Sequence, residues 1–225
     1  NVIFGLEDPD LRTFKKAKTV LKKNKISSQK INITNNNFYK SYFLNKKKQK
    51  PLIDAKIAIS MDYYTINKNS KWITNTRARK VAHLLRSKYD CIVSTSSSIN
   101  IDNSLLNCRI EGLDSNKPDL IIIDRYLKLK RNLKILNITH KRKTYIITTS
   151  DNKKKLSFFK KKKIKVIKIK KLESKKDFDF IFNKIFKIGK KRILIESGLV
   201  FLNELIKSRF INDLYVFKSH KKLKR

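Results

Sequence analysis

The sequence predicts an α/β domain built on a largely buried, mostly parallel sheet, with a smaller region in front of it. Two observations carry this. Short apolar runs such as Leu120, Ile121, Ile122 and Ile123 read as strands buried on both faces, and they alternate with segments whose apolar residues recur at helical spacing. Strands alternating with helices imply crossover connections and parallel pairing. The bulk composition agrees: 225 residues with 40% hydrophobic content and only 4 Gly and 3 Pro are enough for a real core.

In the first region, residues 11–25 place Phe14, Ala17, Lys18, Leu21 and Lys22 at helical spacing, and residues 26–33 alternate like a short strand. Thr34, Asn35, Asn36 and Asn37 form a capping stretch before a second helix through Phe38, Tyr39, Tyr42 and Phe43. A lysine run then leads to Pro51, where a boundary separates residues 1–50 from 51–225.

Beyond Pro51, residues 52–60 read as a strand, and Thr74 is placed to cap a helix with Ala78, Val81, Ala82, Leu85 and Tyr89 on one stripe. Strands follow at 91–94, 120–123, 144–148 and 164–169. A helix then buries Phe178, Ile181, Phe182, Ile185 and Phe186, with Asp177 and Asp179 near its positive end and Gly189 at its close. A strand at 192–196, a turn at Gly198, a helix over 199–207 and a strand at 213–217 complete the chain. The lysine runs at 153–155 and 160–163 read as solvated loop or helix end.

The net charge of +38 comes from 56 Lys+Arg against 18 Asp+Glu. Such an excess ordinarily points to a polyanion partner. Here 45 of the 56 are Lys, Ile (30) and Asn (20) are also in excess, and Ala (5) is scarce, a bias toward residues with A/T-rich codons that acts on every tolerant surface position. The lysines are spread along the whole chain, without the arginine forks and interleaved aromatics of a nucleic-acid surface, so no specific nucleic-acid partner is expected. Cys91 and Cys108 stand apart and read as buried thiols of a reducing compartment. No apolar run is long enough for a bilayer, and a cytoplasmic protein with no membrane partner is expected. His83, His140 and His220 have no carboxylate or cysteine at metal-ligand spacing, so no metal site is expected.

In open α/β sheets, ligands sit beyond the carboxyl ends of strands. The residues there are Ser60, Met61 and Asp62; Ser94 through Ser98, leading to Asp102, Asn103 and Arg109; and Glu196, Ser197 and Gly198. Hydroxyls, carboxylates and arginines in such places suit a polar, anionic small molecule. Each also has a structural reading: the serine run as a turn, Trp72 as core, Arg86 as an answer to its helix dipole.

Taken in order, the residues are more specific. Lys56-x-Ala58-x-Ser60-Met61-Asp62, Ser70-Lys71-Trp72-Ile73-Thr74, Arg77, His83-Leu84-Leu85-Arg86, Asp90 and Asp102-Asn103-Ser104-Leu105-Leu106-x-x-Arg109, continued by residues 120–124, Glu196-Ser197-Gly198 and Asn212-Asp213-Leu214-Tyr215, resemble the reductase domain of the bifunctional riboflavin-biosynthesis deaminase/reductase family. The resemblance covers residue 51 onward. Glu7-Asp8-Pro9-Asp10-x-Arg12 and the helix after it look like the tail of that family's deaminase domain.

The resemblance implies a dihydrofolate-reductase-like three-layer fold. It also implies NADPH-dependent reduction of 5-amino-6-(5-phosphoribosylamino)uracil to its ribityl form, by hydride transfer to the sugar C1′. A related pteridine or pyrimidine reductase, or a basic nucleic-acid binder, is the alternative. By the same resemblance Ala58, Trp72, Ser98, Asp102, Gly198, Leu199, Val200 and Phe201 fall at dinucleotide positions, and Ser70, Arg86, Leu106, Arg109 and Glu196 at substrate positions. Arginine forks suit a substrate phosphate. A proton for the sugar oxygen or nitrogen falls to Asp102 or Glu196, with neither preferred. The family's zinc signature, His-x-Glu with Pro-Cys-x-x-Cys, is absent from these residues, so zinc belongs only to a deaminase part outside them. A homodimer is expected. Tyr63 stands where the family often has glycine after the Asp, and the family normally continues into further sheet beyond the 213–217 strand.

Overall fold

The computed structural model describes residues 1–32, 36–67, 72–113 and 118–223, with the side chains of 36–38 left aside. It divides into two compact units, Asn1–Leu52 and Ile53–Arg225.

In the first unit, β1 (Val2–Phe4), α1 (Lys16–Lys23), β2 (Ser28–Lys30) and α2 (Asn36–Lys48) follow in order, and β1 pairs in parallel with β2. α1 buries no side chain. The organising group is polar instead: buried Asp10 accepts from Arg12 at 2.6 Å and from Lys46 at 2.7 Å. Those hydrogen bonds hold its carboxyl well below the ordinary range.

The second unit runs β3 (Leu52–Ile59), α3 (Thr76–Ser87), β4 (Cys91–Thr95), α4 (Ser96–Asp102), β5 (Asp119–Ile123), a 3₁₀ turn (Lys134–Asn137), β6 (Thr144–Thr148), α5 (Lys153–Lys161), β7 (Lys165–Lys168), α6 (Lys175–Lys187), β8 (Arg192–Ile195), α7 (Leu199–Lys207) and β9 (Leu214–Lys218). Seven strands form one sheet in the order β7-β6-β5-β4-β8-β3-β9. The ladders β7–β6, β6–β5, β5–β4, β4–β8 and β3–β9 are all parallel.

Because successive side chains on a strand point to opposite faces, the apolar runs fill two cores at once. On one face Ile53, Ala55, Val93, Ile121, Ile147, Ile193 and Ile195 pack with Phe178, Ile181, Phe182 and Ile185 of α6 and Leu202 and Leu205 of α7. On the other, Ile92, Leu120, Ile122, Ile146 and Leu194 pack with Leu85 before Tyr89, with Ile99 of α4 and with Phe159 of α5. The result is helix, sheet, helix.

Helix boundaries depart from the sequence reading at identifiable places. α3 is capped by Asn75, whose Oδ1 accepts from the Ala78 amide at 2.9 Å, and not by Thr74. On the expected stripe Val81 faces solvent, while Ala82, Leu85 and Tyr89 are buried. The serine run is a helix: Thr95 caps α4 and Ile99 anchors it. The lysine runs at 153–155 and 160–163 fall at the two ends of a helix, α5, in keeping with the helix-end reading; the helix is capped by Asn152 and anchored by buried Phe159. α6 opens with a reciprocal capping box between Ser174 and Asp177. Tyr63 has φ +67°, the left-handed conformation that favours glycine.

Truncating Ile185, fully buried on the inner face of α6, to Ala is expected to cost about 2–5 kcal/mol. Val81→Ala on the solvent face of α3 is expected to stay within about 0.5 kcal/mol, both read by chemical denaturation.

Candidate functional site

The sheet order creates a crevice. β3, β4 and β5 are followed by segments on one face, whereas α7, following β8, packs on the other, and β8 lies directly between β4 and β3. Chain leaving β4 and chain leaving β8 therefore diverge, and the gap between them is a topological switch point.

One hydrogen bond spans that gap. The Gly198 amide, at the N-cap of α7, donates to Ser98 Oγ of α4 at 2.8 Å, and Ser98 Oγ lies 2.9 Å from Thr95 Oγ1. No side chain caps α7. Gly198 has φ −67°, open to any residue, and a Cβ there would sit 3.5 Å from Ser98 Oγ, an ordinary contact. Glycine here leaves the positive end of the helix bare, which suits a phosphate.

Beside the gap, immediately after β8, lies Glu196. Its carboxylate receives a two-pronged bond from Arg86 of α3, Nε to Oε1 at 2.6 Å and Nη2 to Oε2 at 2.9 Å, and Lys56 Nζ of β3 stands 3.6 Å from Oε2. All three side chains are largely buried. Burial alone would raise the Glu196 carboxyl, but the Arg86 charge and bonds, with Lys56 behind them, outweigh it and hold the group at about 2. The Arg86 guanidinium is likewise kept charged: burial opposes its charge and Glu196 prevails. Two cations share one anion in this buried cluster, leaving a positive excess that suits a phosphate or carboxylate ligand.

The loop after α4 completes the wall. Arg86 Nη1 donates to the Asn107 carbonyl at 3.2 Å, His83 Nδ1 lies 2.8 Å from the same oxygen, and Arg109 Nη2 lies 3.2 Å from His83 Nε2. The loop is held from behind by buried Arg142, whose Nη1 donates to the carbonyls of Leu106 and Pro118 and whose Nη2 donates to that of Leu105. Burial, with Arg86 nearby, lowers Arg142 to about 10. Leu106 is buried at φ +47°.

The structure thus brings Ser98 together with Gly198, and Arg86 with Glu196 and the loop of Leu106 and Arg109. Arg86 does more than answer its helix dipole. Ala58 lies on β3 two residues beyond Lys56, on the same face. Trp72 is half exposed, with Arg79 stacked 4.6 Å from its ring. Asp102 closes α4 with an exposed side chain. At the start of α7, Leu199 and Val200 face solvent, whereas Phe201 packs 5.9 Å from Phe178 in the core. Ser70 lies outside the described residues. Lys56, His83 and Asn107 belong to the site without having been given a role from the sequence. The first two stand inside the motif string, but Asn107 takes part through its backbone carbonyl, which no residue type announces.

The residues fit a dinucleotide and an anionic substrate. The uncapped α7 end offers backbone amides, and Ser94 Oγ and Asn107 Oδ1 are buried without a hydrogen-bond partner among the described residues. Among the described residues no group of three His, Cys, Asp or Glu is placed to hold a metal, and no helix is long and apolar enough to cross a membrane. Cys91 and Cys108 are free and buried, and burial pushes the Cys91 thiol up.

The fold and site define a three-layer α/β protein with a polar, anion-oriented crevice at its switch point. Residues 51–219 match the model of the RibD C-terminal domain, and the chain belongs to that family. It is 29% identical over 171 residues to the riboflavin biosynthesis protein RibD of Aquifex aeolicus, covering 75% of this chain and 46% of that protein. It is 33% identical over 118 residues to a 5-amino-6-(5-phosphoribosylamino)uracil reductase of Buchnera aphidicola subsp. Acyrthosiphon pisum, covering 41% of this chain and 57% of that one. The chain spans about half the length of these relatives. The solved structure of Acinetobacter baumannii RibD superimposes with a TM-score of 0.79 at 18% identity, covering all of this chain and 62% of that one, which shows the shared fold.

Replacing Glu196 by Gln leaves Arg86 and Lys56 buried without their counter-charge and is expected to cost about 3 kcal/mol or more. Since the folded Glu196 is lowered to about 2 from 4.5, its contribution is present above about pH 4.5 and lost as pH falls toward 2. Denaturant unfolding of both proteins between pH 7 and 3 is expected to show their difference shrinking on acidification. A difference that does not vary with pH would contradict the assigned ion pair.

Proposed function

We propose that residues 51–225 are a reductase domain of riboflavin biosynthesis, which reduces the ribosyl group of 5-amino-6-(5-phosphoribosylamino)uracil to the ribityl form with NADPH. Bound NADPH would supply the hydride for the sugar C1′. The observation that carries the reading is the pairing, at one switch point, of an uncapped helix end bridged by Ser98 with a buried cationic cluster at Arg86, Lys56 and Glu196. Family membership and the naming of the Buchnera relative support it.

In this reading Leu199 and Val200 offer amides to the dinucleotide phosphates, Gly198 and Ser98 fix the turn through the bond between them, and Ala58, Asp102 and Trp72 complete that side. Phe201 contributes through its backbone, its ring being committed to the core. Arg109 grips the substrate phosphate, while Leu106 borders the sugar. Glu196 is already an ion-paired carboxylate, so it orients Arg86 and Lys56 and does not give up a proton. The proton role falls to Asp102 or a water it holds. Catalysis is then mainly positioning of C1′ against the hydride donor. Residues 1–50 are a deaminase-like segment, and the reductase works as a homodimer in the cytoplasm.

Two measurements test this. Incubation with the phosphorylated aminouracil is expected to consume NADPH in step with ribityl product. Titration with NADPH at moderate salt is expected to quench Trp72, the single tryptophan, saturably, with a short oligonucleotide giving little response. A folded chain that shows neither would overturn the proposal, and tight oligonucleotide binding that survives moderate salt would move the assignment to nucleic acid.

A further inference from the structure

Three groups meet the His83 ring, and the shortest contact decides its tautomer: Arg86 Nη1, 3.5 Å from Nδ1, is a donor and makes no bond to a protonated nitrogen, its own bond going to the Asn107 carbonyl. A carbonyl oxygen only accepts, so the 2.8 Å contact with Asn107 O requires the proton on Nδ1. Nε2 is then a bare lone pair. A guanidinium only donates, so the 3.2 Å contact with Arg109 runs from Nη2 to Nε2. The two bonds demand the same neutral tautomer, and burial together with the charges of Arg86 and Arg109 lowers the His83 pKa in keeping with it. His83 and Arg86 sit one turn apart on α3, and both donate to the Asn107 carbonyl.

We propose that His83 is a positioning residue: anchored to the loop at Asn107, it holds the Arg109 guanidinium at a fixed spacing from Arg86 and so sets the grip on the substrate's phosphate. The inference rests on the reading that Arg109 meets that phosphate. Arg109 is exposed, with its His83 contact as the tie that orders it. A long cationic side chain held in place loses less rotamer freedom when its anion arrives. Arg86 is already held by two bonds to Glu196, whereas the second guanidinium has a single, longer bond to His83 as its restraint.

Two substitutions separate positioning from packing. In His83→Gln the amide oxygen takes the place of Nε2 and still accepts from Arg109. In His83→Asn the shorter amide still donates to Asn107 but leaves Arg109 untied. With NADPH saturating, His83→Asn is expected to raise KM for the phosphorylated aminouracil roughly tenfold to a hundredfold, the size of one hydrogen bond to a charged group, with kcat within about twofold. His83→Gln, which keeps the Arg109 bond but loses the donor to Asn107, is expected to fall between the parent and His83→Asn in KM, with kcat within about twofold. Calorimetric titration with ribose 5-phosphate, which needs no turnover, is expected to give the same order, and nitrogen NMR of the parent is expected to show a neutral imidazole with its proton on Nδ1.

Equal loss in the Gln and Asn variants, or no loss in the Asn variant, would overturn the positioning role. So would a proton on Nε2. If the parent binds ribose 5-phosphate but does not consume NADPH with the aminouracil, the functional reading fails while the ordering among variants still decides the role of His83. If the parent does not bind ribose 5-phosphate, the phosphate grip and this inference fall together.

Discussion

A carboxylate taken out of water must keep its counter-charges within reach, and this constraint at Glu196 ties the site together. Glu196 follows β8, Arg86 comes from α3 and Lys56 from β3, so one buried charge joins elements 110 and 140 residues away along the chain. Separating any of these elements would strand an ion in the interior, at a cost of several kcal/mol. The same pairing decides the chemistry available. A carboxyl held at about 2 orients cations and does not serve as an acid at neutral pH.

The parallel sheet explains why these residues meet. A parallel order forces crossovers, and the late insertion of β8 between β4 and β3 sends neighbouring connections to opposite faces. The crevice that results is bridged by the Ser98–Gly198 bond and walled by the loop that Arg142 clamps from behind. The net charge of +38 contributes little to this architecture. Most of its lysines are spread over the surface, whereas the cluster that matters is made by two cations and one carboxylate of low exposure.

The strands buried on both faces and the strongly periodic α6 were legible in the sequence because their apolar runs have no other use. α5 was only partly so, since its nine residues are mostly lysine and its packing rests chiefly on Phe159. α4 was read as a turn because three consecutive serines are turn formers, and only the Thr95 cap and buried Ile99 reveal the helix. Thr74 and Asn75 are both good caps one residue apart, and local geometry chose the second. In the site, the ordered motif string brought Arg86, Arg109 and Glu196 forward by resemblance. That Arg86 and Glu196 pair, and that His83 links Arg109 to Asn107, are facts of three-dimensional proximity for which spacing along the chain carries no signal.

The most direct test of the central claim is the ionisation of Glu196 itself, followed by carbon NMR of its side-chain carboxyl as pH is lowered in the folded protein. The account predicts that the signal stays at the carboxylate position through pH 3, where an ordinary glutamate is largely protonated. A half-titration near the ordinary value of 4.5 would mean that Arg86 and Lys56 do not hold the charge, and the proposed organisation of the site would fail with it.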